Sequence, residues 1–194
     1  MPTVANTPIK ICSRASLLIG GDAIQSFEDG TAEASVSSAM YEDVARAALT
    51  NSRWRFSTDQ QVLNRLSDAP TGRFEAAYQL PSDMLMLSAL TVNELPIKYD
   101  LYGLKAFCNE PDTSEIVADY IFRANESDWP PYFTIAVEYM MAGVLAVSVA
   151  RDSSLASLME QKADYQMRQA RRLHSQQQTT RKLNTSRFIA ERRS

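Results

Sequence analysis

The residue types that most often carry catalysis are sparse in this chain. It has two cysteines, Cys12 and Cys108, and a single histidine, His174. A cysteine nucleophile needs a neighbouring base or cation that holds the thiolate, and nothing in the sequence around either cysteine supports such a pair. His174 follows Arg171-Arg172 and precedes a glutamine run, so we interpret it as a solvated histidine on a helix face.

Cofactor and metal motifs are also missing from the sequence. One histidine and two distant cysteines do not form a zinc ligand set, and neither GxxxxGK[ST] nor a GxGxxG after a strand occurs. The acidic pairs Glu28-Asp29 and Glu42-Asp43 are typical of solvation or helix capping. We therefore predict a protein that is not an enzyme, with no cofactor, no metal and two free thiols.

Charge is segregated along the chain. Residues 1–164 hold 12 basic and 22 acidic side chains, whereas residues 165–194 hold 8 basic and 1 acidic. Such asymmetry indicates a C-terminal segment with a partner of its own.

Two helices are predicted near the N-terminus. Thr7 is a suitable N-cap with Pro8 in the first helical position, and Gly20-Gly21 ends the apolar repeat. A second helix begins after Asp29 or Thr31 and is followed by two aromatic residues that we assign to the core, Trp54 and Phe56.

Between residues 55 and 125 the apolar period shortens towards two, and Pro and Gly interrupt it. Met84–Val92, Ile97–Tyr102 and Glu115–Arg123 are predicted strands, with a turn at Asn93-Glu94.

A strongly apolar run, Tyr132–Ala150, follows Asp128, which we predict as its N-cap. Its length is near that of a membrane span, but Glu138 and many small residues favour a helix buried in protein. A neighbouring subunit could cover part of it. The residues predicted for that contact are Tyr132, Phe133, Val137, Met140, Met141 and Val144.

A last helix is predicted from Ser153 or Ser154, and its apolar stripe fades after Met167 while arginines accumulate. The end of the chain cannot bury enough apolar area to fold alone, so we expect it to order on a partner. Two uses remain open: docking on an acidic protein surface, or contacting nucleic-acid phosphates. The residues predicted for docking are Arg168, Arg171, Arg172, Arg181, Lys182, Arg187, Phe188, Ile189, Arg192 and Arg193.

The predicted fold is α+β but mainly helical. Residues 1–54 and 127–178 would form an antiparallel helix bundle, residues 55–126 a small β-rich insertion, and residues 179–194 a flexible basic tail.

Several short strings, in this order, resemble the tail tubular protein A family of short-tailed phages. They are Leu17–Gly21 with Ile24, Ser26 and Phe27; Ala45–Leu49 leading to Trp54–Phe56; Tyr78–Leu85, similar to a Tyr-x-Leu-Pro-x-Asp run of that family; Tyr120-Ile121-x-Arg123; and Trp129–Phe133.

The resemblance implies a structural virion protein assembled in the host cytoplasm. Subunits of this family form a ring, with twelve copies expected, between the portal and the tail nozzle, and the genomic DNA passes through its lumen without specific binding. Two rivals remain: a nucleic-acid-binding module that uses the basic C-terminal residues, and a membrane-associated protein that uses Tyr132–Ala150.

Overall fold

The computed structural model describes residues 6–67 and 72–177. Four α-helices fall at the two ends of this range. They are α1 (Pro8–Leu18), α2 (Ala32–Thr50), α3 (Pro131–Ser148) and α4 (Ser153–Gln176). Two short 3-10 helices, Arg55–Ser57 and Glu126–Asp128, mark the passages between helices and strands.

Side chains just before the first turn cap the N-termini of α1, α2 and α4. The Thr7 side chain accepts a hydrogen bond from the Lys10 amide, with Pro8 at the start of α1, and Thr31 does the same for the Ala34 amide in α2. The predicted cap Thr7 is confirmed, and of the two alternatives for α2, Asp29 and Thr31, Thr31 is the cap. The carboxylate of Asp152 caps α4 by accepting from two backbone amides.

The described strands all lie between the second and third α-helices. They are β1 (Thr58–Val62), β2 (Ala76–Gln79), β3 (Met84–Val92), β4 (Leu95–Pro96), β5 (Asp100–Tyr102), β6 (Lys105–Cys108) and β7 (Ile116–Phe122). They form two antiparallel sheets, with strand orders β1-β7-β3-β4 and β2-β6-β5.

The prediction of a mainly helical fold is wrong. The fold is mixed α+β, since 46% of the described residues are helical and 21% lie in two sheets. The error arises because the sequence patterns do not predict β1, β2, β4 and β6. The sequence of β1, Thr-Asp-Gln-Gln-Val, has no apolar alternation, and β2 and β6 are four residues long.

Of the predictions for single strands, turns and helix caps, some are confirmed and others are wrong. Met84–Val92 is a strand, and Asn93 and Glu94 turn with φ of 50° and 66°, as the tight turn between two strands requires. Ile97–Tyr102 is wrong as a single strand, because only Asp100–Tyr102 pairs there. Asp128 is not the cap of α3: Pro130 is, because a residue before proline is disfavoured in helical geometry and the chain stays extended until Pro131.

The main core lies between the helices. Trp54 is fully buried, and Phe133 contacts the rings of Trp54, Phe56 and Trp129 at centroid distances of 5.1, 5.0 and 4.9 Å. The prediction that Trp54 and Phe56 belong to the core is confirmed. Helix α3 runs through this core, and α4 packs antiparallel along it: Tyr132 meets His174 near one end, and Lys162 lies over the ring of Tyr139 further along.

Helix α3 is long and apolar enough, by length and composition, to cross a membrane, but 56% of its span is buried inside the protein. Its one charged residue, Glu138, receives a hydrogen bond of 2.8 Å from the Arg14 guanidinium on α1. The apolar character of α3 therefore has an explanation in the core of the protein itself.

The two sheets enclose a second core. Tyr78, Leu90, Ile116 and Cys108 are among its buried residues. The β part, which lies within the predicted range 55–126, therefore buries apolar side chains in a core of its own.

An ionic network joins the end of β7 to α2. The Arg123 guanidinium contacts Glu42 on α2 at 3.0 Å and also binds Glu126, while the Tyr41 hydroxyl donates to Glu126 at 2.9 Å. Arg123 also lies over the Trp129 ring, 5.4 Å from its centroid.

Candidate functional site

The predicted docking residues fall into two groups. Arg168, Arg171 and Arg172 lie on the C-terminal part of α4, and all three are exposed. The remaining seven lie outside the described residues. They are Arg181, Lys182, Arg187, Phe188, Ile189, Arg192 and Arg193.

Helix α4 holds its three arginines on one side because of its buried stripe. Ala163, Met167, Ala170 and His174 recur at spacings of three and four and face the core. Arg168, Arg171 and Arg172 are likewise three and four residues apart, so their side chains share a different, solvent-facing side. Among the described residues, none of the three forms an ion pair or a hydrogen bond with its side chain.

His174 fixes the end of this helix against the loop that follows α2. It is 6% exposed, and its ring lies edge-on to Trp54 at a centroid distance of 5.4 Å. The Arg55 amide donates to its Nε2 at 3.3 Å, and the Tyr132 hydroxyl lies 3.4 Å from its Nδ1. The interpretation of His174 as a solvated surface residue is wrong. Its position in the repeat that begins at Ala163 was the available sequence signal.

A second contact holds the same end of α4. The Arg55 guanidinium donates to the Gln177 carbonyl at 2.6 Å. Carbonyl groups at a helix C-terminus lack partners within the helix and carry the negative end of its dipole, so a guanidinium there is favourable. Gln177, the last described residue, is therefore held beside Arg55, which lies shortly before the start of β1.

Burial favours the neutral form of His174. It lowers the pKa of the imidazole from its ordinary value of 6.5; the Arg55 charge acts in the same direction, and a backbone contact with Arg53 opposes the shift without reversing it. Since Nε2 accepts from the Arg55 amide, Nδ1 carries the proton in this neutral form.

We predict that this histidine makes the protein less stable in mild acid. The unfolded chain takes up a proton below pH 6.5 and the folded chain does so only at lower pH, so the free energy of unfolding falls as pH drops through this window. Urea unfolding measured at about pH 8 and about pH 5 should show the fall in the wild type and a smaller one in His174→Gln. Equal pH dependence in both proteins would contradict the assignment.

A cavity of about 390 Å³ opens beside this anchor. Arginine side chains line one part of it and carboxylates another. Its lining residues are Arg53, Arg55, Thr58, Asp59, Gln60 and Asp119. Sequence reasoning did not predict this site, because its residues come from two distant stretches, 53–60 and Asp119, and show no common motif.

The predicted subunit-contact residues on α3 do not share one environment. Phe133, Val137 and Met141 are 0% exposed, so the chain itself covers them and leaves no surface for a neighbour. Tyr132, Met140 and Val144 are partly buried, and Val147, which was not predicted, is 56% exposed. Because Met140, Val144 and Val147 are four and three residues apart, they form one apolar stripe along α3 that the described chain covers only in part.

The cysteines lack the environment of a nucleophile. Both are free and buried. Burial is the main cause that raises the pKa of Cys12 to about 12, and the Glu126 charge adds to it. Burial also raises the pKa of Cys108. Within the described ranges, no group of three or more His, Cys, Asp or Glu side chains could hold a metal ion.

Comparison with known proteins adds no family to this description. No protein-family model matches the chain, and no curated protein matches it significantly. The likeness to the tail tubular protein A family therefore rests on the short sequence strings alone, and the function is a proposal.

Proposed function

We propose that this chain is a head–tail adaptor of a short-tailed phage. Copies of it form a ring, expected to be dodecameric, between the portal and the tail nozzle. Genomic DNA passes through the lumen of the ring without specific binding. The chain is then a structural protein of the virion neck and not an enzyme.

One observation carries the docking part of this proposal: the arginines of α4 have no partner within the described chain. By contrast, Arg14, Arg46, Arg53, Arg73 and Arg123 each pair with a carboxylate there. A guanidinium presents a planar set of donors that matches carboxylates in two-point contacts. Three of them on one side of a helix suit an acidic protein surface, such as we expect on the portal.

The partly exposed apolar stripe of Met140, Val144 and Val147 supports the ring. Apolar side chains in a row on a surface helix lose contact with water when another subunit packs there. A contact between two different faces of identical subunits repeats around an axis and closes as a ring when the rotation fits.

The adaptor proposal is tested by mass photometry of the purified chain mixed with the portal ring of the same phage. We expect the portal mass to increase by about twelve subunits, since one copy per portal subunit closes a matching ring. A variant that ends after Gln178 and the triple variant Arg168→Gln, Arg171→Gln, Arg172→Gln should each bind portal at least about tenfold more weakly, because charge-assisted hydrogen bonds are lost.

Two controls make the result specific. Arg46→Gln removes an exposed arginine that is paired within its own helix, and it should bind portal like the wild type. Val144→Asp should leave the α4 arginines available but lower the number of subunits bound per portal. No association of the wild-type chain with portal would remove the adaptor function.

The same unpaired arginines support a second candidate function, nucleic-acid binding. Phosphate contacts by Arg168, Arg171 and Arg172 would release counterions, so affinity for DNA would fall steeply as salt rises. Fluorescence anisotropy with a labelled duplex at low salt distinguishes the two functions. Tight, salt-dependent binding that the triple variant loses would favour this candidate, and no binding would remove it.

A further inference from the structure

A second stripe with apolar surface lies on the solvent side of α4. We call it the α4 stripe, and it consists of Leu158, Lys162 and Tyr165. Leu158 is 45% exposed and Tyr165 is 54% exposed, and the aliphatic stem of Lys162 adds apolar area between them. The spacing of four and three residues is the same as in the α3 stripe, which consists of Met140, Val144 and Val147.

Two contacts between α3 and α4 show that these stripes lie on opposite sides of the helix pair. The Lys162 ammonium lies 5.8 Å from the centroid of the Tyr139 ring. Glu160 packs against α3 elsewhere, since a Cβ on Gly143 would lie 3.5 Å from its Cγ. Successive helix residues are rotated by about 100°, so Glu160 and Lys162 point to opposite sides of α4. Gly143 is in line with Val147, four residues further along, so the α3 stripe lies on the Glu160 side.

The two stripes carry opposite charges. Glu160 lies beside the middle of the α3 stripe, and its carboxylate is exposed and has no ion pair or hydrogen bond within the described part of the chain. Asp164 follows one turn further along the same side, before the first of the α4 arginines. The Lys162 side of α4 carries no carboxylate, because its other residues are Leu155, Leu158, Tyr165, Gln166, Gln169 and Leu173.

The antiparallel packing of α3 and α4 determines how copies joined by these stripes would be related. If α3 of one copy packs antiparallel to α4 of the next, both copies point in the same direction along the helix axes. The matched spacing then lets Val147 meet Leu158, and Met140 meet Tyr165. A rotation about an axis parallel to the helices relates such copies, whereas a two-fold axis would place the same stripe on both sides of the contact.

We propose that the α3 stripe of each copy packs against the α4 stripe of the next copy, with Glu160 and Lys162 facing each other across the contact. The inference rests on the ring of the proposed function and names the surface of the neighbour that covers Met140, Val144 and Val147. Burial of the apolar side chains stabilises the contact. Because the two faces differ, each added copy leaves one stripe free at either end until a ring closes.

The test is disulfide trapping in the full-length chain, which is feasible because Cys12 and Cys108 are both buried. Val147→Cys and Leu158→Cys are mixed in equal amounts and oxidised, in the free state and after assembly on portal. The mixed disulfide should exceed self-linked Val147→Cys at least about tenfold, because only the two different faces bring the sulfur atoms within bonding distance. A chain with both substitutions should form a ladder of linked copies.

Charge reversal tests the facing pair. Glu160→Lys and Lys162→Glu, each placed in both cysteine variants, should lower the yield of mixed disulfide about two- to fivefold, as expected for an exposed ion pair. The chain that carries both reversals should regain the yield, since every contact again joins opposite charges. Equal yields in the two single reversals and the wild-type background would overturn the pairing of Glu160 with Lys162.

Leu95→Cys mixed with Leu158→Cys is the matched control for random collision, since Leu95 is 69% exposed but lies on β4. A Val147–Leu158 yield no higher than this control would overturn the proposal, and so would self-linked Val147→Cys as the main product. Portal that binds the chain without the mixed disulfide would overturn this contact and leave the adaptor function standing. A ladder in the free chain without portal binding would support the contact and remove the adaptor function.

Discussion

Replacing Phe133 by alanine is expected to lower the free energy of unfolding by about 3–5 kcal/mol, the range for removing a buried phenylalanine side chain. Phe133 is 0% exposed, and its ring contacts Trp54, Phe56 and Trp129. These rings come from the segment after α2 and from the entry to α3, so the cavity would weaken the point where the helices meet. Urea unfolding followed by far-UV circular dichroism measures the change.

Ile135→Ala is the matched control for Phe133→Ala. Ile135 lies two residues further along α3 but is 41% exposed, so its truncation should cost less than about 1 kcal/mol. A similar loss in both variants would contradict the view that the aromatic cluster dominates the helical core.

The second large decrease in the free energy of unfolding is expected for Arg123→Met. Arg123 binds Glu42 and Glu126 and lies over Trp129. Its removal leaves the buried Glu126 carboxylate with the Tyr41 hydroxyl as its remaining side-chain partner among the described residues. We expect a loss of about 2–3 kcal/mol, below the range for a fully buried pair, because the Arg123 side chain is 20% exposed and solvent weakens the interaction. Thermal and urea unfolding of the variant test this value.

Arg46→Met is the control, since Arg46 contacts the same Glu42 from an exposed position on α2. Its loss should cost about 0.3–0.5 kcal/mol, as for exposed pairs within a helix. If Arg46→Met and Arg123→Met lowered the free energy of unfolding equally, the Arg123 contacts between β7 and α2 would stabilise the fold no more than an exposed ion pair does.

The pH dependence gives an independent readout of the same network. Burial alone would raise the pKa of Glu42, but hydrogen bonds and attraction from Arg123 and Arg46 outweigh it and lower the pKa from 4.5. A carboxylate of this kind stabilises the fold above its unfolded-state pKa, and the contribution is lost as pH falls below 4.5. Arg123→Met should therefore lose less stability than the wild type between about pH 5 and pH 3.

Local chemistry explains what could be predicted from the sequence. The N-caps of α1 and α2, strand Met84–Val92 and its turn depend on residues within a few positions of one another. Trp54 was assigned to the core because a large aromatic ring gains most from burial. The prediction that Cys12 and Cys108 are free rested on the absence of a CxxC or metal-type spacing and on an expected reducing compartment, and both cysteines are free in the structure.

The mainly helical fold was wrong because β1 has no apolar pattern of its own. Its polar residues form a strand only because β7 offers them hydrogen bonds, a partner about sixty residues away in the chain. Sequence periodicity does not report such a long-range pairing.

The candidate sites depend on tertiary structure for the same reason. Residue composition by itself determined that basic charge gathers after residue 165 and that the chemistry of an enzyme is not evident in the sequence. Only the folded chain decided that His174 is buried against Trp54, that Phe133, Val137 and Met141 are covered by the chain itself, and that the end of α4 lies beside Arg55. Capping and charge distribution are properties of neighbouring residues, whereas burial and strand pairing arise from contacts between distant ones, which exist only after folding.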